Sequence, residues 1–252
     1  MNNTTNYKRD NHLKKFTIYS FIVTCILGVL LHFAYNFFGN NIIVGLFTTI
    51  NESTWEHLKL LYFPMLLCML VGLFNYKDIS KNLKLFVNSF AISIFTGMLL
   101  IVVLFYTISG IIGKNVDWIN IAIYFIAVIW AYALFFLLQT KWSHCRFINS
   151  ETLFKLSVTA LIICTLLFFL FTILPPKIGL FTPPTTVISI VITTQLNTLY
   201  FKFLNINKLK SCKIQFLMLI YFFANIVIPL KHNCAVVCRK KLCIKYFVMY
   251  IL

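Results

Sequence analysis

The chain has 252 residues, of which 60% are hydrophobic and 11% charged, with 27 Phe and a formal net charge of +16. Ordinary soluble domains carry about 25% charged residues, and no soluble fold of this length could cover so much apolar surface. The basic excess is not a nucleic-acid signature: Lys and Arg sit between apolar blocks and in the last third, without an aromatic-interleaved binding motif.

The apolar residues form unbroken blocks bounded by Lys, Asp or Glu. Such blocks can cross a hydrocarbon core of about 30 Å as helices of about 20 residues. Barrel strands would instead alternate apolar and polar over about 10 residues. The predicted fold class is therefore all-α, an integral membrane helix bundle with about five transmembrane helices, and up to seven if two weaker C-terminal blocks also span. The lipid bilayer is the one partner specified; no nucleic acid is expected, and protein partners are left open.

Residues 1–15 form a basic leader carrying Lys8, Arg9, Lys14 and Lys15. The first span, 16–38, is too long for a signal peptide and lacks a small-residue cleavage site, so it is read as uncleaved. The second, 57–74, contains Pro64, which removes an intrahelical hydrogen bond and should kink the helix. The third lies within the charge-free stretch 85–113, long enough to tilt or to end in a loop at Gly110 and Gly113. The fourth is 118–138, and the fifth, 156–174, is stopped by Pro175-Pro176. These spans define a membrane domain over 16–186.

Lys and Arg accumulate in cytoplasmic loops. With the N-terminus inside, the leader, Lys77/Lys81/Lys84 and Lys141/Arg146/Lys155 hold ten basic residues, against Lys59, Lys114 and Lys177 outside. The expected placement is the cell membrane, multi-pass, with a cytoplasmic N-terminus. Residues 187–252 differ: nine Lys/Arg, no Asp or Glu and no Gly, although the first 180 residues hold all eight Gly and all six acids. Two weaker apolar blocks occur there, 187–201 and 214–230. Spanning by both or by neither leaves the basic tail outside, against the rule the preceding spans obey; one span alone would return it to the cytoplasm.

Residues 51–64, NESTWEHLKLLYFP, are the most informative segment. Ser53 followed three residues later by Glu56 is a capping-box pattern, in which each side chain satisfies a backbone N–H at a helix start. Glu52 and Glu56 also sit where the helix dipole favours negative charge. On a purely structural account this is a clean interfacial helix start, with Trp55 in the aromatic belt and Lys59 snorkelling to water.

The functional account starts from His32, an ionisable residue inside the first span. Short connections make consecutive helices neighbours, so His32, Glu52, Glu56 and His57 form a candidate polar cluster at the outer boundary. Such a set could bind a divalent metal, relay protons or orient a polar group. It has no His-Glu-x-x-His spacing, and Glu56 and His57 point about 100° apart on a helix, so the spacing assigns neither a metal nor a cofactor.

Trp142-Ser143-His144-Cys145 reads as a surface turn in a basic loop, and the intervals of His232, Cys234, Cys238 and Cys243 are irregular for zinc. The eight Cys are scattered, with Cys25, Cys68 and Cys164 inside apolar blocks, so no disulfide framework is indicated. Phosphate loops, Ser/His/Asp sets and paired carboxylates are not found.

The runs LLHFAYNFFGNNIIVGLF, NESTWEHLKLLYFPMLL, SGIIGKNVDWINI and LPPKIGLFTPPTT, in that order, resemble a family of small bacterial integral membrane proteins of unknown function, over about residues 16–186. The resemblance carries no activity over. It implies a finish soon after the fifth span, with a Gly-Leu-Phe-x-Asp-Pro-x-Thr-Gly-like ending. Gly179-Leu180-Phe181 and Pro184 match it, whereas Pro183 stands in place of the Asp and Val187 in place of the last Gly. Residues 187–252 are accordingly read as a divergent or frame-shifted extension.

The expected function is that of a multi-pass membrane protein with an external polar site at the start of its second helix. Two alternatives stand beside it: a small transporter or permease component, and an intramembrane metal-dependent enzyme. An enzyme is the less expected outcome, because only the external cluster offers convergent side chains.

Overall fold

The computed structural model describes residues 3–75 and 82–183. Among these residues the chain is all-helical: α1 (Asn3–Phe37), α2 (Ile42–Gly45), α3 (Thr54–Asn75), α4 (Leu83–Ile112), α5 (Asp117–Thr140) and α6 (Glu151–Ile173). All but the single-turn α2 are long and apolar enough to cross a membrane, which gives the five spans expected. The blocks 187–201 and 214–230, and the set His232, Cys234, Cys238 and Cys243, lie outside the described residues.

Local chemistry explains the helix ends. α1 stops where Gly39 and Asn40 both take positive φ, a conformation Gly reaches without strain and Asn tolerates. Asn41, Asn82 and Ser150 cap α2, α4 and α6 by accepting backbone N–H bonds from Ile43, Leu85 and Leu153. Gly113, at φ +78°, closes α4. The helices are longer than the apolar blocks: α1 begins in the leader and α6 begins at Glu151. Capped polar turns extend a helix beyond its hydrocarbon portion without adding hydropathy.

α3 and α4 form the centre. α1 packs on α3 and α5, and α4 packs on α3, α5 and α6. Toward the end holding residues 9–16, 83–90 and 135–151, the core is an aromatic cluster of Phe16, Phe86, Phe90 and Phe135, with Phe90 and Phe135 centroids 4.3 Å apart. Large apolar side chains on the outside, including Tyr19, Ile26, Leu30 and Phe33 of α1 and Ile162, Leu166 and Leu170 of α6, stay exposed. A contiguous apolar exterior of this kind is what lipid solvates.

Pro64 lies inside α3 and cannot donate to the Leu60 carbonyl. The Tyr124 hydroxyl of α5 stands 3.5 Å from that oxygen while donating to the Thr24 carbonyl of α1 at 2.8 Å. Neighbouring side chains commonly compensate a proline in this way in membrane helices. Gly28 of α1 makes room, since a Cβ there would fall 1.9 Å from the Tyr124 oxygen and 3.0 Å from Leu60 O.

Candidate functional site

The connection from α1 to α3 places the four candidate residues at one end of the bundle. It turns at Gly39-Asn40, passes α2, and enters α3 through an Asx turn in which Asn51 Oδ1 accepts from Ser53 N at 2.9 Å. Ser53 Oγ then accepts from Glu56 N at 3.3 Å, so one half of the expected capping box forms. The other half does not. The Glu56 carboxylate turns instead to Ile50 N at 3.1 Å and to Lys59 Nζ at 2.7 Å.

Lys59 corrects the sequence reading most sharply: rather than snorkelling to water, its side chain is 0% exposed. Its ammonium shares three N–H donors among four acceptors: the Gly45 and Thr48 carbonyls at 3.0 and 3.3 Å, the Glu56 carboxylate, and Thr172 Oγ1 on α6. A buried ammonium persists only when its donors are used and a counter-charge is adjacent. Both conditions hold here, and the group ties the α2 segment, α3 and α6 together. The i, i+3 spacing of Glu56 and Lys59 was the available signal; the reach to Thr172 had none.

The predicted cluster therefore divides. Glu56 belongs with Lys59 inside the bundle, whereas His32, Glu52 and His57 meet at its mouth. His57 Nε2 lies 3.3 Å from Glu52 Oε2, and His32 Nε2 lies 3.9 Å from Glu52 Oε1. The imidazole centroids are 5.3 Å apart. The His57 hydrogen bond, opposed by partial burial, holds the Glu52 carboxyl below its ordinary carboxylate range.

The far nitrogen of each ring is occupied. His57 Nδ1 lies 2.8 Å from the Ser53 carbonyl oxygen, which only accepts, so Nδ1 carries a proton. Thr49 Oγ1 donates to the His32 carbonyl at 3.1 Å, and its oxygen faces His32 Nδ1 at 3.4 Å. Both Nε2 atoms are thereby directed at one carboxylate. Beside this trio is a cavity of about 30 Å³, lined by Glu52, Thr54, His57, Asn120 and Tyr124 and by Leu60, Ile101, Phe105 and Ile123. That volume accommodates a water molecule.

Trp55 reaches further than an interfacial anchor would. Its ring packs in tilted contacts on Phe168 and Phe181, each with centroids 4.8 Å away, and its backbone N–H donates to Leu180 O at 3.0 Å. The Gly179-Leu180-Phe181 run thus closes on the start of α3. At the opposite end, residues 141–144 form a turn with His144 exposed, as expected, but Cys145 departs from the surface reading and is buried against Leu85, Leu138 and Ile148.

A family described as "Family of unknown function (DUF6512)" matches residues 5–189. No curated protein and no solved structure matches the chain. The match covers every described helix apart from the first two residues of α1 and ends within three residues of the compositional break at 187, and the chain belongs to this family of unknown function.

Proposed function

We propose that this multi-pass membrane protein receives a small polar ligand at the outer end of its bundle, in the mouth formed by His32, Glu52 and His57. The observation that carries this reading is the convergence of two Nε2 atoms on one 66% exposed carboxylate beside a cavity. Glu56 and Lys59, by contrast, spend their charge on each other and on the backbone. Charge distribution supports the outward orientation. With Lys59 inside the bundle, Lys114 and Lys177 are the remaining basic residues assigned to the outer side of residues 1–186, against ten that the sequence assigns to the inner side.

The surroundings favour binding over permeation. Beyond its polar rim the cavity meets Leu60, Ile101, Phe105 and Ile123, which offer nothing to a moving ion or polar solute. Three of the deeper hydroxyls are committed to structure: Tyr62 donates to Leu161 O at 2.6 Å, and Thr24 and Tyr132 pair at 2.7 Å.

Two experiments test the reading. In a chain stripped of native Cys, Glu52→Cys should react with a membrane-impermeant maleimide on intact cells, and Lys141→Cys only after permeabilisation; the reverse pattern overturns the orientation. Glu52→Gln and His57→Gln should reach wild-type levels in the membrane yet fail to restore any trait lost on gene deletion. A fall in level equal to that of Glu56→Gln would make the trio scaffold.

A further inference from the structure

We infer that His32, Glu52 and His57 form a zinc-class divalent metal site, with the two Nε2 atoms and the Glu52 carboxylate as protein ligands and a water or ligand atom completing the coordination. This deepens the proposed outward polar site and rests on it.

The geometry is close to what a tetrahedral ion requires. Zinc–nitrogen and zinc–carboxylate bonds of about 2.0–2.2 Å place neighbouring ligand atoms about 3.3 Å apart. His57 Nε2 and Glu52 Oε2 stand at 3.3 Å, His32 Nε2 and Glu52 Oε1 at 3.9 Å, and one ligand atom from each of the three residues lies within 4.8 Å of the others. Closing the remainder needs rotation of the Glu52 side chain, which is on the loop and exposed, and small shifts of the two imidazoles toward each other. An ordinary ion pair would account for His57 with Glu52. The second imidazole, 3.9 Å from the other carboxylate oxygen, makes only a long ion-pair contact when protonated; when neutral it gives the same carboxylate a second nitrogen neighbour, the donor set a metal ion takes.

The outer contacts fit the same chemistry. Metal-bound histidines donate their second ring N–H to a carbonyl, carboxylate or other oxygen, which fixes the tautomer and leaves the metal-facing lone pair free. The Ser53 carbonyl does this for His57, and Thr49 Oγ1 faces the corresponding nitrogen of His32. The supports are themselves braced: Thr49 is tied back to α1 through the His32 carbonyl, and the adjacent Thr48 carbonyl accepts from Lys59. Two imidazoles and a carboxylate suit a borderline ion such as zinc. Three protein ligands with an open position is the arrangement of reactive rather than purely structural zinc, and the neighbouring cavity with Thr54, Asn120 and Tyr124 has room for the fourth ligand.

The test uses the full chain in detergent, stripped with a chelator and titrated with Zn²⁺ against a competing indicator, then with Co²⁺ as a spectroscopic substitute. The expected result is one tight equivalent, a tetrahedral Co²⁺ spectrum and a zinc-dependent rise in Tm. Glu52→Gln, His32→Ala and His57→Ala should each abolish the tight equivalent. Thr49→Val should weaken it by the ~10–100-fold typical of a lost outer contact. Glu52→Gln alters an exposed side chain and keeps the test sound if a His variant fails to fold. Absence of tight binding overturns the inference, as does binding that survives all three changes or follows His232, Cys234, Cys238 and Cys243. If Glu52→Cys still labels from outside, only the metal assignment fails; if it labels only from inside, the outward site fails as well.

Discussion

Lys59 Nζ stands 2.7 Å from Glu56 Oε2 inside the bundle, with the two side chains 0% and 3% exposed. Removing one partner of a buried pair strands the other's charge, at a cost of about 3–5 kcal/mol. Lys59→Met and Glu56→Gln should therefore each lower the amount of protein in the membrane and its Tm in detergent. The double change Glu56→Leu/Lys59→Met, with no charge left to strand, should recover most of the loss. A double variant as unstable as the singles would mean that the Gly45 and Thr48 contacts, not the charge pair, carry the stability.

Gly28 fits between Tyr124 and the backbone of α3, and a methyl group there meets atoms at 1.9 and 2.5 Å on the Tyr124 ring. Gly28→Ala should cost about 1–3 kcal/mol, the usual penalty of overpacking. Gly28→Ala combined with Tyr124→Ala should regain part of it, and thermal unfolding in detergent reads both. Equal Tm values for Gly28→Ala and wild type would show that α1 stands further from α5 than described.

The contact of Trp55 with Phe168 and Phe181 predicts a linked effect on the segment after α6. Trp55→Ala should cost about 3–5 kcal/mol, the scale of a large aromatic truncation. It should also make residues 174–183 more susceptible to protease added from their side of the membrane. Phe181→Ala should reproduce the susceptibility with a smaller fall in Tm, because Phe168 and Phe171 still hold the indole.

Coding DNA gives a separate check on residues 187–252. If they are a frame-shifted extension, one of the other two frames past codon 186 should encode an ending resembling Asp-Pro-x-Thr-Gly. If neither frame does, the frame-shift reading is wrong.

The spans were legible because hydrocarbon tolerates few charges, so Lys, Asp and Glu punctuate the sequence at nearly every crossing. Their ends were less so. Glu151 and Thr54 begin helices whose first turns are polar and capped, and hydropathy does not register a capped polar turn. The meeting of His32 with residues 52–57 followed from the short connection, and the separation of Glu56 from His57 from their 100° offset on the helix. The route of the Lys59 side chain could not be read, because it depends on the Gly45 and Thr48 carbonyls and on Thr172, 113 residues away. Thr49, Asn120 and Tyr124 were missed for the same reason: an isolated hydroxyl or amide in an apolar sequence acquires its meaning only from what folds against it.

α1 continues unbroken for 35 residues, about 52 Å at the usual helical rise, against a hydrocarbon thickness of about 30 Å. Even a tilted rod of that length must leave several turns standing among lipid phosphates, with Arg9, Lys14 and Lys15 as its footing. The helix is continuous from those cations to His32, so the imidazole stands at a fixed distance along it from Lys15. If α1 moves as one piece, lipids with longer or shorter chains should shift His32 against His57.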